Sequence, residues 1–281
     1  MSTLVPRLVE GLVDDAAVFP PGSATLPDAV TSHRAHRMAW YRTLVGPLLV
    51  PVSELPALDV ARAPTIGVIG DTGLGALPGA VDKALAAGLD VRQVEAAVAK
   101  RGEDPQPGLE RLRAFAADHP GIEVYAEIPL TWGLLGALDT VAQARAEGGR
   151  ITPKFRTGGL AAELFPTPVE LAAVICACRD RALRFKLTAG LHHAVRHTDP
   201  ETGFTHHGFL NVLVAALEAD EGAEVAAVSE ALAVTHPLPL VEPAKARRHD
   251  ERPLWAGFGS CSVLEPLTDM VRLGLVNGGH E

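Results

Sequence analysis

A chain of 281 residues with 47% apolar side chains can bury a sizeable core, and α/β barrels run to about 250 residues as one unit. A net charge of −9, with five lysines against twenty arginines, argues against nucleic acid or an anionic membrane as a general partner; a local basic pocket for a small anion remains compatible with it. No run approaches the roughly 18 apolar residues of a membrane span, the first residues MSTLVPRLVEGLVDDAAV hold no long apolar segment, and three cysteines cannot all pair, so a cytoplasmic protein is expected.

In chain order, short β-rich or apolar runs recur, each followed by a turn signal and usually by an Ala/Leu-rich helical stretch. The expected strands are AAVFPP (16–21), LLVPV (48–52), TIGVIGD (65–71), VRQVEAAV (91–98), VYAEIPL (124–130), ITPKFR (151–156), RFKLTAG (184–190) and LWAGFGS (254–260). Helices are expected over 77–88, 108–119, 134–148 and 168–182, several closed by Gly or Pro. Strands alternating with helices imply a parallel sheet, and eight strands close it into a (β/α)8 TIM barrel, a single domain over 1–281. An open doubly wound sheet is the alternative, but no Gly-rich dinucleotide turn supports it. About sixty residues separate the last two strands, so a His-rich loop and helical insertion is expected over 191–250.

A barrel places its chemistry at the C-terminal ends of the strands. Those ends carry Asp71, Glu95, Glu127, Lys154 with Arg156, Lys186 with Thr188, and Ser260. Asp14 and Asp15 would begin the first strand and so lie at the opposite, stability face; they join the active rim only if that strand ends near Asp15. His33 and His36, at helical spacing, read as surface or capping residues, and Asp71 as a helix cap or an active-site carboxylate.

Lys154 and Lys186 stand one β-α-β step apart, each flanked by apolar residues within its strand. Alternation puts Lys154 and Arg156 on one strand face, and Lys186 and Thr188 likewise share one. The plain reading is a pair of structural cations, one of them partnered by Glu127. The chemical reading is an imine-forming amine at Lys154, its pKa depressed by the Lys186 cation next door.

Lys154-Phe155-Arg156-Thr157-Gly158 and Lys186-Leu187-Thr188-Ala189-Gly190 resemble, in order and spacing, the two lysine motifs of class I deoxyribose-phosphate aldolase and its barrel relatives. GIEVYAEIPL (121–130) is similar to that family's strand with a buried Glu, and GFGSCSVL (257–264) to its last-strand phosphate segment. The resemblance spans roughly 65–190 and 254–265. It implies an imine at Lys154, Lys186 as its modulator, Glu127 with Glu95 or a loop histidine (His192, His193) as proton carriers, and an anion held by Arg156, Thr157, Gly158, Gly190, Gly259 and Ser260. Gln93 falls where the family has an acidic residue, with Glu95 two residues on. Arg156 replaces a small hydroxyl residue, and Ala189 replaces a glycine.

Five of eleven histidines crowd GLHHAVRHTDPETGFTHHG (190–208). One reading is a divalent-metal site among His192, His193, His197, His206 and His207, although their spacing matches no closed signature. A second is acid–base or anchoring work by His192, His193 or His197, and a third is a structural loop. The sequence therefore leads to a lysine-dependent lyase of the aldolase type acting on a small anionic carbonyl compound without a cofactor. A metal-dependent barrel enzyme and a non-catalytic anion-binding barrel stand as alternatives, and the oligomeric state stays open, a homo-oligomer included.

Overall fold

The computed structural model describes residues 4–278. Eight parallel strands close a barrel: β1 (Val13–Asp15), β2 (Val45–Pro51), β3 (Ile66–Ile69), β4 (Val91–Ala97), β5 (Glu123–Glu127), β6 (Ile151–Arg156), β7 (Phe185–Thr188) and, after a small hairpin, β10 (Trp255–Ser260). Each strand pairs with its sequence neighbour, and β1 closes the ring by pairing with both β2 and β10. The expected (β/α)8 barrel is thus the fold. Its outer layer includes α1 (Leu26–Met38), α2 (Leu77–Ala86), α3 (Gln106–Asp118), α4 (Leu134–Ala146) and α5 (Pro168–Arg179).

Seven of the eight expected strands fall where the apolar runs placed them; the first does not. Val18 and Phe19 mimic a strand in AAVFPP, but two consecutive prolines can donate nothing to a ladder. The strand is Val13-Asp14-Asp15, with the AAVFPP stretch forming the loop beyond it. This correction moves Asp14 and Asp15 from the stability face to the catalytic end, where Asp15 stands level with Ser260.

Local chemistry sets the helix boundaries that aim the strands. The approach to α5 carries a full capping box: the Thr167 hydroxyl accepts from Glu170 N–H, the Glu170 carboxylate accepts from Thr167 N–H, and Pro168 takes the first turn, where no donor is needed. The insertion after β7 contains the hairpin strands β8 (His197–Thr198) and β9 (Thr205–His206), then α6 (Phe209–Asp220), α7 (Val225–Ala233) and α8 (Leu238–Ala246). Helix α6 is buried almost all round because α5, α7 and α8 pack on it. Asn211, fully buried within α6, ties the insertion together: its amide donates to Ala231 and Val234 carbonyls at 2.8 Å, and its oxygen accepts from Arg196 N–H. The last helix, α9 (Leu264–Arg272), follows β10. Among the described residues no helix is long and apolar enough to cross a membrane.

Candidate active site

Strands β1, β4 and β7 are not neighbours in the barrel, so their side chains can meet only across its interior. There the structure assembles one chain of alternating charges. Lys186 donates to Asp14 and to Glu95 Oε1 (2.6 Å); Lys154 pairs with Glu95 Oε2 (2.7 Å) and Glu127 Oε2 (2.9 Å); Arg156 places Nη2 3.0 Å from Glu127 Oε1. The order Asp14, Lys186, Glu95, Lys154, Glu127, Arg156 runs from the closed interior to the rim. Gln93 donates to both Asp14 (2.7 Å) and Glu95 (2.9 Å), and the Lys186 ammonium lies 4.4 Å from the Tyr125 ring centroid.

The register makes this arrangement unavoidable. Lys154 pairs directly with Lys186 in the β6–β7 ladder, and Glu127 pairs with Lys154 in the β5–β6 ladder. Two ammonium groups side by side repel unless an anion divides them, and Glu95, reaching over from β4, is that anion. Glycines provide the room: a Cβ on Gly46 would lie 1.8 Å from Asp14 Oδ1, and one on Gly67 2.8 Å from Gln93 Cγ.

This geometry corrects the expectation that Lys186 lowers the pKa of Lys154. Burial does press both amines toward neutrality, but the carboxylates on either side outweigh it, and both pKa values are raised above the ordinary lysine range. Glu95 shows the converse: burial favours its neutral form, yet Lys154 and Lys186 hold it down at about 2. Glu127 is also lowered, with Lys154 and Arg156 overcoming burial, whereas Asp14 is raised because its burial dominates. A carboxylate depressed in the fold stabilises it above its ordinary pKa and loses that contribution as pH falls through the folded value. The Glu95 contribution therefore disappears between about 4.5 and about 2, and Asp14, whose pKa is raised by burial, acts in the opposite sense. Thermal midpoints measured across pH 7 to 2 should fall steeply in that window; a flat profile contradicts the charge chain.

A second buried pair adjoins the first. His33 is not a surface residue: its Nδ1–H donates to Asp15 Oδ2 at 3.0 Å, both side chains almost wholly enclosed. His33 and Tyr125 were missed by the sequence reading, and Asp14 and Asp15 entered it only under the condition, met here, that the first strand ends near Asp15. The signal available was the apolar Leu12-Val13 pair immediately before the two aspartates. Asp71 does not cap the helix that follows it; its carboxylate accepts from the Ser53 backbone and hydroxyl, in the first turn of the short 3-10 helix Val52–Ala57.

The expected anion-holding residues divide into two groups. Thr157, Gly158 and Gly190 come together: Thr157 Oγ1 donates to the Ala189 carbonyl at 2.6 Å, and a Cβ on Gly158 would stand 3.1 Å from Gly190 Cα. Ala189 adopts φ +64°, a left-handed conformation in which glycine is unstrained, which accounts for the glycine at this position in the resembling motif. Ser260 instead donates its hydroxyl to the Ser262 carbonyl (2.7 Å), and Gly259 faces Leu49 and Ala16. Arg156 stands at the rim with its side chain 43% exposed.

The histidines split: His193, His197 and His206 form one run of ring contacts, while His192 and His207 turn to other partners. His192 Nδ1 lies 3.1 Å from Glu265 and 3.7 Å from Cys261 Sγ, and His193 lies 3.4 Å from Asp269, so the partners of both are beyond β10 and not at the lysines. His197 and His206 stack across the hairpin (5.4 Å between ring centroids), and His206 also meets Phe165. His207 is buried, with Nε2–H donating to the Pro166 carbonyl at 2.8 Å and Nδ1 accepting from Arg196, and burial lowers its pKa to about 4. Among the described residues, no group of three or more His, Cys, Asp or Glu side chains is gathered as a metal site.

No family model and no curated protein matches this chain. Among solved structures it is similar to lysine/ornithine decarboxylase from Vibrio vulnificus complexed with cadaverine, at 13% identity and a TM-score of 0.46, over 90% of this chain and 57% of that one. The same enzyme complexed with putrescine gives 13% identity and a TM-score of 0.43, over 91% and 58%. This chain thus spans under two thirds of the decarboxylase's length. So faint a likeness carries no chemical argument, and the chemistry is read from the residues themselves.

Proposed function

We propose that this chain is a lysine-dependent carbon–carbon lyase of the aldolase type, acting on a small carbonyl compound that carries an anionic group. The observation behind the reading is that two lysines from adjacent strands meet at one carboxylate, Glu95, inside the catalytic end of a barrel. Lys154 is the nucleophile in this proposal. It lies on the rim side, next to the partly exposed Glu127, while Lys186 is deeper, between Asp14, Glu95 and Tyr125.

The resting Lys154 is an ammonium, so it must lose a proton before attack. Glu127 and Glu95, each already hydrogen-bonded to it, are the acceptors at hand. The neutral amine adds to the substrate carbonyl, water leaves, and the protonated imine becomes an electron sink for breaking the bond one carbon away. Lys186 stays cationic and keeps Glu95 and Asp14 in place. The lysine nitrogen turns the substrate's own carbonyl carbon into the electron sink, so no separate cofactor enters the proposal.

A non-catalytic anion-binding barrel is the second reading, favoured by one observation: each ammonium group is already held by two carboxylates. Reduction by borohydride in the presence of small aldehydes and ketones separates the two, because only an imine leaves a permanent adduct on Lys154.

A further inference from the structure

A cavity of about 150 Å3 opens between the ends of β4, β5 and β6, with Leu164 and Pro166 of the following loop on one side. Its cations are Arg101 and Arg156, and Glu127 also lines it. Of the other two acids there, Glu170 is committed to the cap of α5, and the Glu163 backbone carbonyl accepts from Arg101.

Glu127 is divided between two cations. Its Oε1 receives Nε (3.1 Å) and Nη2 (3.0 Å) of Arg156, and its Oε2 sits 2.9 Å from the Lys154 ammonium. The rim cation thus holds one of the two carboxylates that can accept the lysine proton, the one that also lines the cavity. We propose that the carboxylate of a 2-oxo or 3-oxo acid enters this cavity and takes Arg156 from Glu127, and that Glu127, so released, accepts the proton of Lys154.

This inference rests on the imine reading of Lys154 and adds to it the substrate class and the trigger. One carboxylate bridges Lys154 and Arg156 at hydrogen-bond distance, so the two cations are at most about 8 Å apart. A carbonyl bonded to Lys154 and an anion on Arg156 must span the same gap, which suits a carboxylate one or two bonds from the carbonyl carbon. A phosphate at the far end of a sugar chain is too distant. The protons balance: Lys154 gives one to Glu127, the neutral amine forms the C–N bond, and the carbinolamine oxygen leaves as water with that proton returned from Glu127 and the second amine proton. The product is the cationic imine.

The test is borohydride trapping at pH 7 with pyruvate against acetone and glyoxylate against acetaldehyde, the adduct located by peptide mass. Wild type should trap each acid on Lys154 in preference to its neutral partner. In Arg156→Gln that acid-to-neutral ratio should fall by roughly tenfold or more, the worth of one charge-assisted contact. Trapping of acetone at pH 7 should rise in the same variant, because Glu127 is no longer held. Arg156→Lys should restore part of the preference. Glu127→Gln, which keeps the shape and loses the acceptor, should trap neither class well at pH 7.

An unchanged ratio in Arg156→Gln, with Lys154 still labelled, overturns the trigger and leaves the imine standing. Absence of any adduct on Lys154 in wild type overturns the imine reading itself, and the trigger with it.

Discussion

Replacing Lys154 with methionine is expected to abolish reductive trapping of every carbonyl compound that labels the wild-type protein, and to lower any lyase activity by about 10^3-fold or more. Methionine keeps an unbranched apolar stem as far as Cε and removes the amine. The loss follows from position: Lys154 alone links the interior part of the charge chain to Glu127 and the rim. Lys186→Met should still give the Lys154 adduct, because its ammonium touches Asp14 and Glu95 and has no contact with Glu127 or Arg156. Intact-mass measurement after borohydride reduction checks both variants. Labelling of Lys186 in wild type, or persistent labelling of Lys154→Met, is the result that sinks the assignment.

The second large effect is on stability. Glu95→Leu should cost roughly 3–5 kcal/mol, the usual result of removing one partner from buried ion pairs, and lower the thermal midpoint by about 10 °C or more. Among the described residues Glu95 is the only anion shared by both lysines, and it is almost wholly enclosed. Its loss leaves Lys154 against Lys186 in adjacent strands, each with one carboxylate fewer. The double variant Glu95→Leu with Lys186→Met should cost less than the two single costs added together, because it no longer strands a buried cation. Denaturant unfolding of the four proteins supplies the cycle; strict additivity contradicts a direct Glu95–Lys186 interaction.

Expectation and structure part company mainly at two places. At the first strand, AAVFPP carried the better β propensity, but a strand in the barrel needs ladder donors that Pro20-Pro21 lack, and Val13–Asp15 holds the register with Phe258 to Ser260 instead. Asp14 thereby moved from one end of the barrel to the other. At the lysines, alternation paired Lys154 with Arg156 and Lys186 with Thr188 on their own strands, but nothing in spacing could show that Glu95 from β4 lies between the two lysines. The expected effect of one lysine on the other was reversed by the carboxylates around them, Glu95 and Glu127 at Lys154 and Asp14 and Glu95 at Lys186.

What the sequence determined by itself is whatever depends on neighbours along the chain. Period-2 alternation, helix caps and turn residues act over a few residues, so seven strands, the barrel they imply, the long insertion and the paired faces of Lys154 and Lys186 were all legible. Only the tertiary structure decided which charges meet. Asp14, Glu95 and Lys186 come from strands that do not touch in the ladder, and their contacts arise across the closed interior, where burial turns modest surface interactions into strong ones. The histidines show the same: close in sequence, His192 and His207 were sent by the fold to Glu265 and Pro166, while His193, His197 and His206 gather ring against ring at the hairpin. Sequence nearness supplied the residue types, and ring closure chose their partners.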